Sequence, residues 1–443
     1  MTIPRSLLDV SSNQQVFDAY IKPLLNIELL LVLYILLFIF GFTTQDDYLF
    51  YNEYRVIQVV LLLFFGLIAY FFQRDKIAKG ELFFFAFIAV GSIFWKQPAF
   101  VISELLLAYL LYKSFGLLQY RQLASKLLVL SSLTMFIQFP LSLWDYIQTG
   151  KYAAVWYPLT WNIRVYDSYF LIVSIFAVWF YLTNQRYRYL YLLFLFLAFL
   201  AILLDAGRSV ILAYTLFIIV VSTFYRHVRY PLTLVYISSW LVYLSVSYIA
   251  NLNAIRSSGL DSQILRVTTS LRDDLWINAY QCWSKQPLWG CGFYQLDSYM
   301  NLAAHPHNLF IQVLSETGLL GFCVLIYIGI NVLKRIDWRN QHHYFVIAAL
   351  SAVGVDMFFS GIHIYPVTQM VLLWLFVFLL KTPEFVSDSL VPSTPKNLIM
   401  TLLPLLFYAV ISFWFIDLLV TTKVFLSEVP FTPPRFWVYG YRL

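Results

Sequence analysis

The chain has 443 residues, of which 61% are hydrophobic and 12% charged, and its mean hydropathy is +0.74. Typical soluble domains carry roughly 25% charged residues, so a water-soluble core is excluded and a membrane protein with many spans is implied. The net charge of +6 would suit nucleic acid if the basic residues formed one patch, but they follow a membrane topology and no nucleic-acid partner is implied.

The N-terminal stretch MTIPRSLLDVSSNQQVFDAYIK is polar and lacks the short apolar core and small-residue cleavage site of a signal peptide. The first apolar segment is therefore expected to be an uncleaved span. Runs long enough to approach a hydrocarbon core about 30 Å thick fall at 24–42, 56–73, 81–95, 98–118, 127–144, 168–183, 189–204, 209–225, 231–250, 309–333, 344–361, 366–380 and 398–420. The shortness of 81–95, 168–183 and 366–380 leaves the total at 12–13 spans. The predicted fold class is an all-α polytopic membrane protein, with residues 1–443 forming one integral membrane domain.

Lys and Arg collect in cytoplasmic loops. With the N-terminus inside, the cytoplasmic segments hold Arg5, Lys22, Arg74, Lys76, Lys79, Lys113, Arg121, Lys126, Arg186, Arg188, Arg226, Arg229, Lys334, Arg335, Arg339, Lys381 and Lys396, while the first outer loop, FTTQDDYLFYNEY, is acidic. The outer face then receives 145–167, the large segment 251–308 and, if the thirteenth span is real, the tail 421–443. No cytoplasmic segment is long enough for a nucleotide-binding domain, and no GxxxxGKS loop is present, which excludes direct use of ATP.

Arginines on the outer face run against the positive-inside bias and call for a reason. Arg208 lies in LLDAGRSVIL beside Ser209, at the start of a span. A helix N-terminus with an adjacent arginine makes an anion site; an Asp205–Arg208 ion pair closing the turn is the alternative. Arg266 and Arg272 lie in QILRVTTSLRDDLWINAYQCWSKQPLWGCGF. From Ser270, with Asp273 three residues on, this reads as a capped helix whose Leu275, Trp276, Ala279 and Trp283 share a face. It is expected to lie on the membrane surface or over the outer ends of the spans, and to end in a turn at Pro287, Gly290 and Gly292. Arg272 at its first turn is a second candidate anion ligand, with pairing to Asp273 or Asp274 as the alternative.

His305, His307 and Asn308 open the span 309–333. Histidine is the side chain suited to accept a proton near neutral pH. No third ligand stands at zinc-site spacing, so no metal is expected. Glu316 falls on the opposite helix face from His307 and is expected to bond a neighbouring span, and Gly318 and Gly321 admit a close backbone approach. Glu104 and Asp356 lie inside spans, as relay groups or satisfied structural ones. The three cysteines show no CxxC spacing. Cys282 and Cys291 both fall outside, where a disulfide is chemically allowed; two small buried thiols is the reading preferred here.

Three pieces of sequence, in this order, resemble the O-antigen ligase and polymerase superfamily of bacterial envelope glycan transferases. They are DAGRS, which holds Arg208; the run from Arg272 to Trp276 followed by PLWGCGF; and H-N-x9-G-x-x-G, formed by His307, Asn308, Gly318 and Gly321 with Glu316 before the first glycine. Together they cover about residues 200–330. The resemblance implies a fold of the GT-C class of membrane glycosyltransferases, with amphipathic helices in the large periplasmic loop. It implies a metal-independent, inverting transferase without cofactor, in the bacterial inner membrane. The donor would be an undecaprenyl diphosphate-linked glycan, and the acceptor lipid A–core, another lipid-linked glycan or a pilin. Arg208, Arg272 and Arg266 would bind the diphosphate and His307 would be the base. Ser209, Asn308, Glu316, Gly318, Gly321 and His305 would support them, although His305 lies outside the pattern and is a second candidate base. Gly207 stands where the family often has serine, and Phe322 where ligases tend to have a small polar residue. The competing class is a transporter for an anionic lipid or solute, which would string its ionisable groups across the bilayer midplane.

Overall fold

A computed structural model describes residues 79–95, 98–116, 121–152, 163–184, 186–258, 272–293, 295–298 and 305–386. The expected spans 24–42, 56–73 and 398–420, the tail 421–443, Ser270 and Arg266 lie outside the described residues. The described chain is helical, with one isolated bridge between Ile336 and Val386. Helices are what apolar segments must form in lipid, where no water completes backbone hydrogen bonds.

Two helices open the described bundle, α1 (Lys79–Phe94) and α2 (Pro98–Gly116). The expected span 127–144 is a compound one. It consists of α3 (Arg121–Ser132), a 3-10 turn (Leu133–Ile137) and α4 (Phe139–Thr149). Pro140, at the start of α4, has no N–H to give the preceding turn. Then come α5 (Ile163–Thr183), α6 (Arg188–Leu204), α7 (Arg208–Phe224) and α8 (Arg229–Ser258). α8 runs eight residues past its expected end at 250, into the segment read as outer loop. The chain continues through α9 (Arg272–Lys285), α10 (Leu309–Arg335), α11 (His343–Phe359) and α12 (Pro366–Lys381). Among the described residues, Arg121–Thr149, Val165–Thr183, Arg226–Ile255 and Leu309–Arg335 are long and apolar enough to cross a membrane, and shorter apolar helices pack among them. The chain is an all-α polytopic membrane protein.

α5 is the hub, packing against α3, α6, α7, α11 and α12. It is buried around its whole circumference through Tyr169, Phe170, Phe176 and Trp179. A helix apolar on all sides belongs in a bundle interior. Among the described helices α7 packs most extensively against α11, whose Ala348, Ala349 and Ala352 are buried, and small residues let backbones approach. By contrast, α8 exposes Leu234, Leu241 and Tyr248 along its outer side, as a lipid-facing helix does.

The helix ends at one pole are clamped by polar bonds. Arg121 donates to the Lys381 carbonyl at 3.0 Å, Gln122 to Glu384 Oε1 at 3.1 Å, Asn340 to the Glu384 carbonyl at 2.9 Å, and Tyr225 to the Gln341 carbonyl at 3.3 Å. This pole carries Lys113, Arg121, Arg186, Arg188, Arg229, Lys334, Arg335 and Lys381. The opposite pole carries the candidate site.

Candidate active site

The first element is the turn between α6 and α7. Ala206 takes the left-handed conformation (φ 53°), with Ala206 N–H to Leu203 O at 3.1 Å and Gly207 N–H to Ile202 O at 3.2 Å. This is the Schellman pattern that usually requires glycine at the left-handed position. Gly207, at φ −74°, is needed for space instead: a methyl there would strike the carboxylate of Asp167, which is fully buried. A serine at 207 would meet the same obstacle. Arg208 follows as the exposed first residue of α7.

Ser209, beside it, faces α11. The buried Asp356 accepts from Ser168 Oγ at 2.6 Å, the Ser209 hydroxyl lies at the same carboxylate, and the charge of Arg272 acts on it. Asp356 thus ties α11 to α5 and to the start of α7, within electrostatic reach of Arg272 at the start of α9.

From Arg272 the path to the histidines is short. Trp276 lies one turn along α9 on the same face, and its Nε1–H donates to the Pro306 carbonyl at 3.0 Å. Its ring also meets Phe358, two residues beyond Asp356, at 6.1 Å. Pro306 stands between His305 and His307, whose rings are 4.2 Å apart. His305 is fully buried, whereas His307 is half-buried and held at φ 52°. The Nδ1 of His305 accepts the backbone N–H of His307 at 3.3 Å. That nitrogen therefore carries no proton, and His305 holds its hydrogen on Nε2, toward the Tyr365 hydroxyl at 3.5 Å. His307 is the accessible member of the pair. Among the described residues no third His, Cys, Asp or Glu joins them as a metal-ligand group.

Asn308 caps α10: its Oδ1 accepts the Ile311 N–H at 3.0 Å. Its Nδ2 is buried with no hydrogen-bond partner among the described residues. One turn on, Gln312 donates to Glu316 Oε2 at 3.2 Å and accepts from His363 Nε2 at 3.0 Å. Gln312 thus links Glu316, on its own helix, to the neighbouring segment.

α10 is broken at Gly318 (φ 69°, ψ −167°), and the turn after α9 fills the break. Cys291 N–H and Gly292 N–H donate to the carbonyls of Ser315 and Glu316 at 2.8 and 3.2 Å. Pro287 O and Leu288 O accept from Leu319 N–H and Leu320 N–H at 2.9 and 3.2 Å. One turn therefore satisfies carbonyls of the first half-helix and amides of the second, each of which would cost several kcal/mol if left open in lipid. Gly290 (φ 75°) and Gly318 lie backbone against backbone, with no room for a methyl on either. At Gly321 the tight neighbours are Thr317 and Phe87 of α1. The turn is anchored by Trp289, which stacks on Phe94 at 4.5 Å and accepts at its carbonyl from Trp95 Nε1 at 2.7 Å.

Cys282 and Cys291 are disulfide-bonded, with Cα atoms 5.6 Å apart. This corrects the reading of two separate thiols. The turn at 286–290 folds the chain back on α9, which sequence spacing alone does not reveal. The bridge joins the helix that carries Arg272 to the turn that closes the α10 break.

Residues 171–326, from α5 into the second half of α10, match the family model described as O-antigen ligase. Over this segment the chain is similar to the O-antigen ligase family. No curated protein matches the chain. The matched segment contains Arg208, Arg272, His307, Glu316, Gly318 and Gly321. Beyond it lie Asp167, Ser168, Asp356, His363 and Tyr365, which contact the site from α5, α11 and the turn before α12. Asp356 was visible in the sequence as a carboxylate inside a span. His363, in GIHIYP between two spans, offered the same signal as His307, a histidine at a span end, and sequence reasoning gave it no role. Asp167 left only an indirect trace, the glycine at 207.

Proposed function

We propose that this O-antigen ligase-type protein transfers a glycan from an undecaprenyl diphosphate carrier to an acceptor hydroxyl at the periplasmic face of the inner membrane, with lipid A–core as acceptor. Lys and Arg at the pole away from the histidines favour that pole as cytoplasmic, with the N-terminus on the same side. The observation that carries the reading is the Trp276–Pro306 hydrogen bond at 3.0 Å. It couples the helix that begins with Arg272 to the loop that holds His307, so a group that binds phosphate and a group that accepts a proton face one substrate. A transporter would spread its charges through the bilayer; these meet at one pole.

In the reaction, the acceptor oxygen bonds to the anomeric carbon as the bond from that carbon to the diphosphate oxygen breaks on the opposite face, inverting the centre. The acceptor proton passes to His307 as the nucleophile forms. Charge growing on the leaving diphosphate is met by Arg272 and Arg208 through paired N–H donors. Arg266, in the same outer segment, is the third proposed ligand. The buried Asn308 Nδ2, at the positive end of α10, is a further donor for a substrate oxygen. The fold is proposed to be of the GT-C class, with no metal in the chemistry.

The test uses purified protein and undecaprenyl diphosphate-linked glycan in detergent, without metal or nucleotide, and follows the glycan on a gel. Separate tubes receive lipid A–core, no acceptor, or pilin. A shift with lipid A–core alone is expected. A ladder without acceptor would make the protein a polymerase, and a shift with pilin alone a protein glycosyltransferase. Donor binding without transfer in any tube would favour the transporter.

A further inference from the structure

His305 is gripped by the turn between α11 and α12. A methyl at Gly361 would stand 2.8 Å from His305 Cε1, and Tyr365 places its hydroxyl 3.5 Å from His305 Nε2. The turn is tight, with Ile364 N–H bonded to Gly361 O at 2.9 Å. His363 lies between these two grips, and its side chain reaches α10, where Nε2 meets Gln312 Oε1 at 3.0 Å.

Gln312 directs its NH2 to Glu316 Oε2 at 3.2 Å. The amide oxygen of Gln312 then faces His363, and His363 Nε2 must carry the hydrogen. The His363 main chain is held as well, since its carbonyl accepts from Gln369 Nε2 at 3.2 Å. The side chain ties the turn to the first half of α10, and the backbone carbonyl ties it to α12.

We infer that His363 is a positioning residue for the histidine pair. Through Gln312 it fixes the Gly361–Tyr365 turn, the turn fixes the ring of His305, and His305 fixes His307 by accepting its backbone N–H. The inference rests on the transfer reading above, and His363 lies outside the segment matched to the family. A leucine would fill this position without the desolvation cost of an imidazole bonded to a buried amide, so the hydrogen bond is the reason for histidine. A misplacement of about 1 Å at a reacting group costs on the order of 100-fold in rate.

The experiment compares transfer kinetics of wild type, His363→Leu, His363→Gln and Gln312→Leu, using undecaprenyl diphosphate-linked glycan and the acceptor that wild type uses. His363→Leu and Gln312→Leu are expected to lose roughly 10- to 100-fold in kcat, with donor KM unchanged. His363→Gln restores an N–H donor without a titrating ring, so it should keep near-wild-type kcat with the acid limb of its pH profile in place. Wild-type turnover in His363→Leu would overturn the inference. So would equal loss in His363→Gln and His363→Leu, since hydrogen-bond donation would then not be the property that matters. Should His363→Leu fail to fold, Gln312→Leu, which leaves the histidine in place, carries the same test. Active wild type with indifferent variants removes this inference alone; wild type that transfers nothing removes the transfer reading and this inference together.

Discussion

The two halves of α10 differ more from each other than α10 does from its neighbours. Before Gly318 the helix buries Gln312, Ser315, Glu316 and Thr317 and opens on the histidine loop. After Gly318 it exposes Leu319, Ile326, Ile328 and Ile330, the surface of a helix against lipid. An unbroken helix would have to continue in one direction with one repeating face. The break lets a short polar half belong to the site while a long apolar half anchors in the membrane, and the turn 286–292 is what makes that affordable in hydrogen bonds. The comparison therefore predicts unequal responses to substitution on the two sides of Gly318.

The largest effect is expected before the break. His307→Ala should lower transfer by roughly 100- to 10,000-fold in protein that still folds and binds donor; retained activity would remove the proposed base. Gly318→Ala comes next. Its backbone conformation alone costs a side-chain-bearing residue about 1–3 kcal/mol, and the methyl would meet the Leu288 carbonyl. A clear drop in thermal midpoint is expected, accompanied by loss of transfer. Converting Cys282 and Cys291 to alanine together, or reducing them, should lower stability by about 2–4 kcal/mol, read as a lower thermal midpoint in detergent.

Arg272→Lys keeps the charge but loses the planar fork, and about a tenfold fall in kcat, or roughly 1.4 kcal/mol, is expected. A wild-type rate would leave this arginine only a diffuse electrostatic role. The smallest effect lies after the break. At Gly329 a methyl meets open space, so Gly329→Ala should leave transfer unchanged and stabilise the helix by up to about 1 kcal/mol. A loss there equal to that of Gly318→Ala would erase the distinction between the halves.

Hydropathy makes the bundle legible, because lipid demands long apolar helices and, within the described residues, each expected span but 127–144 falls on one. The site is legible where charge sits against the membrane bias, at Arg208, Arg272, His307 and Asp356. The break at Gly318 is not, because Gly318 and Gly321 in an apolar run mark only a close backbone approach; the backbone that meets Gly318 is at Leu288, thirty residues earlier in the chain. The disulfide is hidden for the same reason: it depends on a fold-back that neither cysteine encodes locally. Gly207 is an instructive intermediate case. The sequence offers no reason for a glycine there, and only the position of Asp167 on a different helix supplies one.

The central claim is that the first half of α10 and the start of α9 form one transferase site. The most direct test mixes undecaprenyl diphosphate-linked glycan and lipid A–core with wild type and with His307→Ala, measuring donor binding and glycan transfer in the same samples. Equal donor binding, with transfer by wild type alone, is the expected result. Transfer by His307→Ala at the wild-type rate would contradict the account.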